Sequence, residues 1–105
     1  MISPEFGWSM LKKWQSENTL LSVTVTGRSA IFKCSGHVSS LADAPWPSVT
    51  ITSASSELML NLSGVEFVGY EDSRVLPDGV RDSHLDSFLG LKLRTEEVGI
   101  AAFNV

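Results

Sequence analysis

The sequence predicts an α+β fold in which one N-terminal amphipathic helix packs on a bent antiparallel sheet or small barrel of five to seven short strands. Three observations lead to this class. The apolar residues recur first at helical spacing and then at every second position, and turn residues separate the later runs at short intervals. A chain of 105 residues has room for one hydrophobic core, so we expect a single globular domain over residues 1–105.

The helix is expected over residues 3–17. Ser3 provides a hydroxyl at the N-cap, and Pro4 suits the first turn, where its missing N–H costs nothing. The apolar residues that follow are spaced by four and define one buried face, formed by Phe6, Met10 and Trp14.

Alternation of apolar and polar residues predicts strands in the rest of the chain. The clearest runs are 19–27, 30–38, 48–53, 91–95 and 98–105. A polar alternate face rich in serine and threonine is typical of a sheet with one buried side. We therefore expect short antiparallel strands whose apolar faces meet in one core.

Residues 56–72 leave two paths of the chain open. The apolar positions change phase between Leu60 and Phe67, across Ser63 and Gly64. A two-residue hairpin loop at Ser63 and Gly64 would set Leu60 opposite Phe67 and restore a single apolar face. A glycine bulge in one long strand would change the phase as well and would bend the sheet sharply. We expect the hairpin, and either path keeps Leu60 and Phe67 in a common core.

A second short helix is expected over residues 82–89. Asp82 is a suitable N-cap, Phe88 and Leu89 lie on one helical face with Leu85, and Gly90 is a suitable terminator.

The most suggestive polar cluster is Asp82-x-His84-x-Asp86. A carboxylate beside an imidazole can orient it or raise its basicity, which is useful in general acid–base catalysis and in ligand binding. On a strand the three side chains would share a face, whereas on the expected helix they spread around the axis. The alternative interpretation is a solvated, capped start of a helix.

Two tryptophans are candidate binding residues. Trp46 lies between Pro45 and Pro47, which restrict the backbone, so it is either an anchor for a partner or a plug at one end of the core. We expect the plug, because a small domain gains most from burying its large apolar residues. Trp8 lies away from the apolar stripe of the helix, where it either widens the buried face or marks a patch for self-association.

Metal and cofactor sites are not expected. The chain has one cysteine and two histidines, too few for a structural zinc site with the usual ligands. Cys34 and His37 are three residues apart on a predicted strand and therefore point to opposite faces. We interpret Cys34 as a small buried apolar residue. No glycine-rich phosphate loop is present.

Charge and hydropathy limit the class of partner. The net charge is −4 and the basic residues are scattered, so nucleic acids and anionic membranes are not expected as partners. No apolar run reaches the length of a spanning helix, and the first residues do not resemble a signal peptide. We expect an acidic, soluble, cytoplasmic protein.

These observations rank three functions. The first is a non-catalytic protein-interaction or self-associating module, whose ligand is a partner protein or a second copy in a homo-oligomer. The second is a small ligand-binding protein or enzyme that uses His84 with Asp82 or Asp86. The third is a small barrel that binds nucleic acid, which normally requires exposed aromatics together with positive charge.

Overall fold

The computed structural model describes residues 2–43, 46–72 and 85–103. Within these ranges it has one α-helix followed by seven β-strands, which confirms the predicted α+β class. In chain order the elements are α1 (Pro4–Ser16), β1 (Leu21–Thr26), β2 (Ile31–Ala42), β3 (Ser48–Thr52), β4 (Glu57–Asn61), β5 (Glu66–Asp72), β6 (Leu85–Lys92) and β7 (Glu97–Phe103).

The helix begins where its capping residues predict. The hydroxyl of Ser3 accepts a hydrogen bond from the backbone N–H of Phe6 at 3.2 Å, which satisfies one of the N–H groups that have no partner inside the helix. Met10 and Trp14 are buried, but Phe6 is 39% exposed. Phe6 contacts Tyr70 edge to face, with ring centroids 5.1 Å apart. The apolar stripe is thus buried from Met10 onward, and its first member lies at the edge of the interface.

The strands form one sheet in the order β4-β3-β2-β1-β7-β6-β5. Every neighbouring pair is antiparallel. The first four strands are a meander, whereas β7 lies in the middle of the sheet between β1 and β6. Within the described residues β4 and β5 do not pair, so the sheet is open and is not a closed barrel.

The two edge strands are nevertheless joined by a very short connection. The backbone N–H of Val65 donates to the carbonyl of Leu62 at 3.1 Å, which closes a tight turn between β4 and β5. In a flat sheet, six spacings of roughly 4.8 Å would set the edge strands about 29 Å apart. The ends of such a turn lie within about 7 Å of each other. The sheet must therefore curl until its two edges approach at this turn.

The predicted hairpin at Ser63 and Gly64 is wrong. A hairpin reverses the chain, but the observed strand order separates β4 from β5 by six antiparallel pairings, an even number, so the two strands run in the same direction along the sheet. The chain bends and passes from one edge to the other, which is closer to the alternative of one bent strand. Gly64 makes this bend at φ 71°, a conformation that favours glycine. Leu60 and Phe67 both lie in the core.

The prediction of a second short helix over residues 82–89 is also wrong for the part of this segment that the structure describes, residues 85–89. Its first three residues lie outside the described ranges, and the remainder belongs to strand β6. Leu89 is buried and Phe88 is 42% exposed, as alternation in a strand requires. Pairing with β5 and β7 on both sides outweighs a short local helix pattern, because propensity is weak against tertiary contacts.

The core lies on one face of the curled sheet and is covered by α1, which contacts β2 and β5. The backbone N–H of Ile2 donates to the carbonyl of Phe67 at 3.1 Å, so the start of the chain is fixed to β5. Gly7 allows the helix to approach the sheet closely, since a Cβ there would lie within 3.0 Å of three ring atoms of Phe67. The largest fully buried side chains come from both helix and sheet, and include Phe67, Leu11, Leu21, Ile51, Leu62 and Ile100.

Candidate functional site

An open groove lies between β4 and the turn that joins β6 to β7. Its volume is ≈ 600 Å³, which is in the range of protein sites for small molecules. We call it the Trp46 groove. Its walls are formed chiefly by Val25, Trp46, Met59, Leu60, Leu93 and Arg94.

Trp46 forms one wall of this groove and does not plug the core as expected. Its side chain is 46% exposed. The adjacent loop is fixed to the sheet, because the backbone N–H of Leu62 donates to the carbonyl of Pro47 at 2.7 Å. Leu62 is itself buried and fills the core beside this hydrogen bond. The indole is therefore presented at the surface on a backbone that is anchored by a hydrogen bond and restricted by proline.

The lining of the Trp46 groove is mainly apolar. Leu60 is buried, Val25 packs at the margin of the core, and Met59 is 57% exposed. Arg94 and Glu96 provide charged groups on the side of the β6–β7 turn. An apolar patch with polar groups beside it is the arrangement found at protein-binding surfaces, and Met and Trp are enriched there.

The edge strand β4 presents unpaired backbone groups beside the groove. The N–H of Ser53 donates to the carbonyl of Ser56 at 2.9 Å, which closes the β3–β4 hairpin. Hydrogen-bonded and non-hydrogen-bonded pairs alternate along an antiparallel ladder, so Glu57, Met59 and Asn61 direct their N–H and C=O groups away from β3. Within the described residues no strand pairs with these groups. The edge of β4 is therefore open to a further strand.

Besides the edge strands β4 and β5, the start of β2 is also unpaired on one side, because different parts of this long strand pair with β1 and with β3. Ile31–Gly36 pairs with β1, and His37–Ala42 pairs with β3, with a register shift around Ser39. The side of Ile31–Gly36 that faces away from β1 thus has no neighbouring strand among the described residues.

The free side of β2 is also apolar. The N–H of Gly27 donates to the carbonyl of Ala30 at 2.9 Å, so the same alternation directs the backbone groups of Ile31 and Lys33 away from β1. Ile31 is 63% exposed and Phe32 is 51% exposed. An exposed, apolar, unpaired edge is a recognised site of strand pairing between chains.

Trp8 lies on α1 and does not line the Trp46 groove. It is half-buried and contacts the ring of Phe67 edge to face, with centroids 6.1 Å apart and an interplanar angle of 68°. Trp8 also lines a separate depression, together with Lys12 and Asp43. The structure therefore does not bring the two candidate tryptophans into one site.

The predicted cluster of Asp82, His84 and Asp86 lies largely outside the described residues. Asp82 and His84 lie outside the described residues, and Asp86 lies in strand β6 instead of the expected helix. A ligand-binding or catalytic role of His84 stays a prediction.

The thiol of Cys34 lies half-buried in β2, opposite Val23 in β1. Burial raises the pKa of this thiol, which disfavours the thiolate form that a nucleophile needs. The Nδ1 atom of His37 lies 3.1 Å from the carbonyl oxygen of Thr19, at hydrogen-bond distance. In the part of the chain that the structure describes, no three His, Cys, Asp or Glu side chains are grouped closely enough to hold a metal ion.

Comparison with known proteins adds no relative: no protein-family model, curated protein or solved structure matches this chain. The helix among the described residues is too short to cross a membrane.

Sequence reasoning did not identify Ile31, Phe32 or Met59 as surface residues. One signal was present, since Ile31 and Phe32 are adjacent on a strand and therefore face opposite sides of the sheet. Met59 likewise alternates with Leu58 and Leu60, which places an apolar side chain on the outer face. Nothing in the sequence indicates that β3 is too short to cover the start of β2.

Proposed function

We propose that this chain is a non-catalytic interaction module that binds an extended protein segment along the free edge of β4. The observation that carries the proposal is the position of that edge directly beside the Trp46 groove. The outward backbone groups of Glu57, Met59 and Asn61 offer the hydrogen bonds of strand addition. The groove offers an apolar pocket for a side chain of the added segment, and such a pocket supplies the specificity that backbone contacts lack.

Trp46 and Met59 suit this role for physical reasons. Trp46 offers a large aromatic surface on a restrained backbone, so little conformational entropy is lost when a partner covers it. Met59 has a flexible thioether side chain that adapts to different partner shapes. Both side chains are about half exposed in the free protein, so binding removes apolar surface from water.

The charge of the chain supports a neutral or basic protein segment as the ligand. The net charge of −4 opposes the approach of nucleic-acid phosphates. In this proposal the module acts in the cytoplasm, where a lone cysteine such as Cys34 is kept reduced.

Peptide display against the intact chain tests the proposal, using the variants Met59→Pro and Met59→Thr. The N–H of Met59 points away from β3, so proline at this edge position is compatible with the fold but removes a donor that strand addition needs. Threonine keeps the N–H and changes only the side chain. We expect selected peptides to bind the threonine variant, and to bind the proline variant at least about tenfold more weakly. Equal binding to the proline variant, or the absence of any binding peptide, would contradict the proposal.

A further inference from the structure

We infer that the segment received by β4 is the start of β2 from a second copy of this chain, so that the module self-associates through head-to-tail strand pairing. This inference rests on the proposed function, because it names the occupant of the same edge. It joins two of the strand edges that are unpaired among the described residues, β4 and the start of β2, in one contact.

The backbone pattern of the two edges is compatible with an antiparallel register that pairs two outward-directed residues of each strand. Lys33 lies opposite Glu57 of the second copy, and Ile31 lies opposite Met59 of the second copy. All four residues direct their N–H and C=O groups away from their own sheets. Each of the two pairs is therefore a hydrogen-bonded pair of an antiparallel ladder.

The same register is complementary in charge and in hydropathy. Lys33 and Glu57 have opposite charges, and directly opposed charges of opposite sign stabilise a strand pair. Ile31 and Met59 are 63% and 57% exposed, and each covers the other in this register. These are the two most exposed large apolar side chains among the described residues. Pairing thus covers the surface that is least compatible with water.

In this register, side chains on one face of the sheet in the first copy lie next to side chains on the corresponding face in the second copy. Phe32 shares a face with Val25, its neighbour in β1. In the proposed register Phe32 lies opposite Leu58 of the second copy, which shares a face with Leu60 in β4. Val25 and Leu60 both line the Trp46 groove. The half-exposed ring of Phe32 therefore lies on the face of β4 that carries Leu60, which lines the groove.

Other self-pairings of these two edges fit less well. Pairing two β2 edges about Lys33 would oppose two lysines, which is destabilising. Pairing two β4 edges about Met59 would leave Ile31 and Phe32 uncovered. A shift that sets Lys33 opposite Met59 would bring Ser55 of the second copy opposite His37, a position that β3 already occupies.

In an open assembly, head-to-tail pairing leaves a free β4 edge at one end and a free β2 edge at the other. Such a contact is heterologous, so it closes into a ring or extends into a chain, depending on the rotation between copies. The expected mass distribution therefore shifts with concentration and is not limited to dimers.

Sedimentation velocity over a range of protein concentrations tests the inference with the charge variants Lys33→Glu and Glu57→Lys. Each single variant opposes like charges, so we expect its association to weaken by about fivefold to tenfold. The double variant reverses both charges, keeps the net charge of −4, and is expected to associate like the wild type. An equimolar mixture of the two single variants should also associate, because each contact between unlike copies again pairs Lys with Glu. Circular dichroism of every variant serves as the folding control.

Several outcomes would overturn the inference. They are a wild type that is monomeric at all concentrations, single variants that associate as strongly as the wild type, or a mixture that does not regain association. None of these results changes the binding of displayed peptides to the threonine and proline variants at Met59. If peptides bind at β4 but copies do not pair, only the second-copy inference fails. If neither occurs, the proposed function fails as well.

Discussion

Replacing Gly7 with alanine measures how tightly α1 is packed on the sheet, because two effects of opposite sign compete. In a helix interior alanine is favoured over glycine by about 1 kcal/mol. The added Cβ, however, would lie within 3.0 Å of three ring atoms of Phe67. That ring is 2% exposed and is held by Trp8, so it has little space to move.

The unfavourable contact of the added Cβ with Phe67 is expected to outweigh the higher helix propensity of alanine. Inserting a methyl group into a filled core costs about 1–3 kcal/mol, and the restrained ring of Phe67 places the cost in the upper half of that range, about 2–3 kcal/mol. Subtracting the helix gain of about 1 kcal/mol leaves a net loss of about 1–2 kcal/mol in the free energy of unfolding. For a domain of this size, each kcal/mol lowers the Tm by about 4–8 °C.

Urea unfolding followed by circular dichroism measures this loss as a lower midpoint with an unchanged m-value. The control is the same substitution in a Phe67→Ala background, where none of the three contacted ring atoms remains and Gly7→Ala should become neutral or stabilising. A Gly7→Ala protein that is at least as stable as the wild type would refute the close approach of α1 to Phe67. If Gly7→Ala lowered the free energy of unfolding equally in both backgrounds, the loss would not come from contact with the ring of Phe67.

Three further predictions concern single side chains. Trp46→Ala should change the free energy of unfolding by less than about 1 kcal/mol, whereas Trp14→Ala, which empties a buried site, should cost about 3–5 kcal/mol in the same urea assay. Ser3→Ala removes the N-cap of α1 and should cost about 1 kcal/mol, measured by thermal unfolding against Ser3→Asp as the capping control. Burial raises the pKa of the Cys34 thiol. The contribution of the protonated thiol to the free energy of unfolding is therefore present below the ordinary thiol pKa and is lost as the pH rises through the raised pKa. The unfolding midpoint should therefore fall more at alkaline pH in the wild type than in Cys34→Ser.

The helix could be predicted from the sequence because its determinants are local. Ser3 and Pro4 fix its start, and the spacing of Met10 and Trp14 fixes its buried face. Alternation in β1 similarly depends on a few adjacent residues. Phe6 is the exception on the stripe, since its exposure depends on where β5 places Tyr70, which the local pattern does not contain.

The errors arose where distant pairing decides the structure. Phe88 and Leu89 fit a helical face locally, but β5 and β7 offer backbone partners on both sides of that segment. The turn at Gly64 has the composition of a hairpin, and only the number of strands between β4 and β5 shows that the chain continues in one direction. Trp46 is exposed on a wall of the groove, whereas Leu62, whose backbone N–H binds the adjacent loop, is buried in the core.

The place of β7 affects how the protein is made. It is the last of the seven strands to leave the ribosome, yet it separates β1 from β6 in the finished sheet. Until it emerges, β1 is an edge of the nascent meander, and the side chains of Leu21 and Val23 lack the cover that β7 later supplies. The sheet is therefore completed by the insertion of a central strand between β1 and β6, so the core stays incomplete until Glu97–Phe103 has been translated.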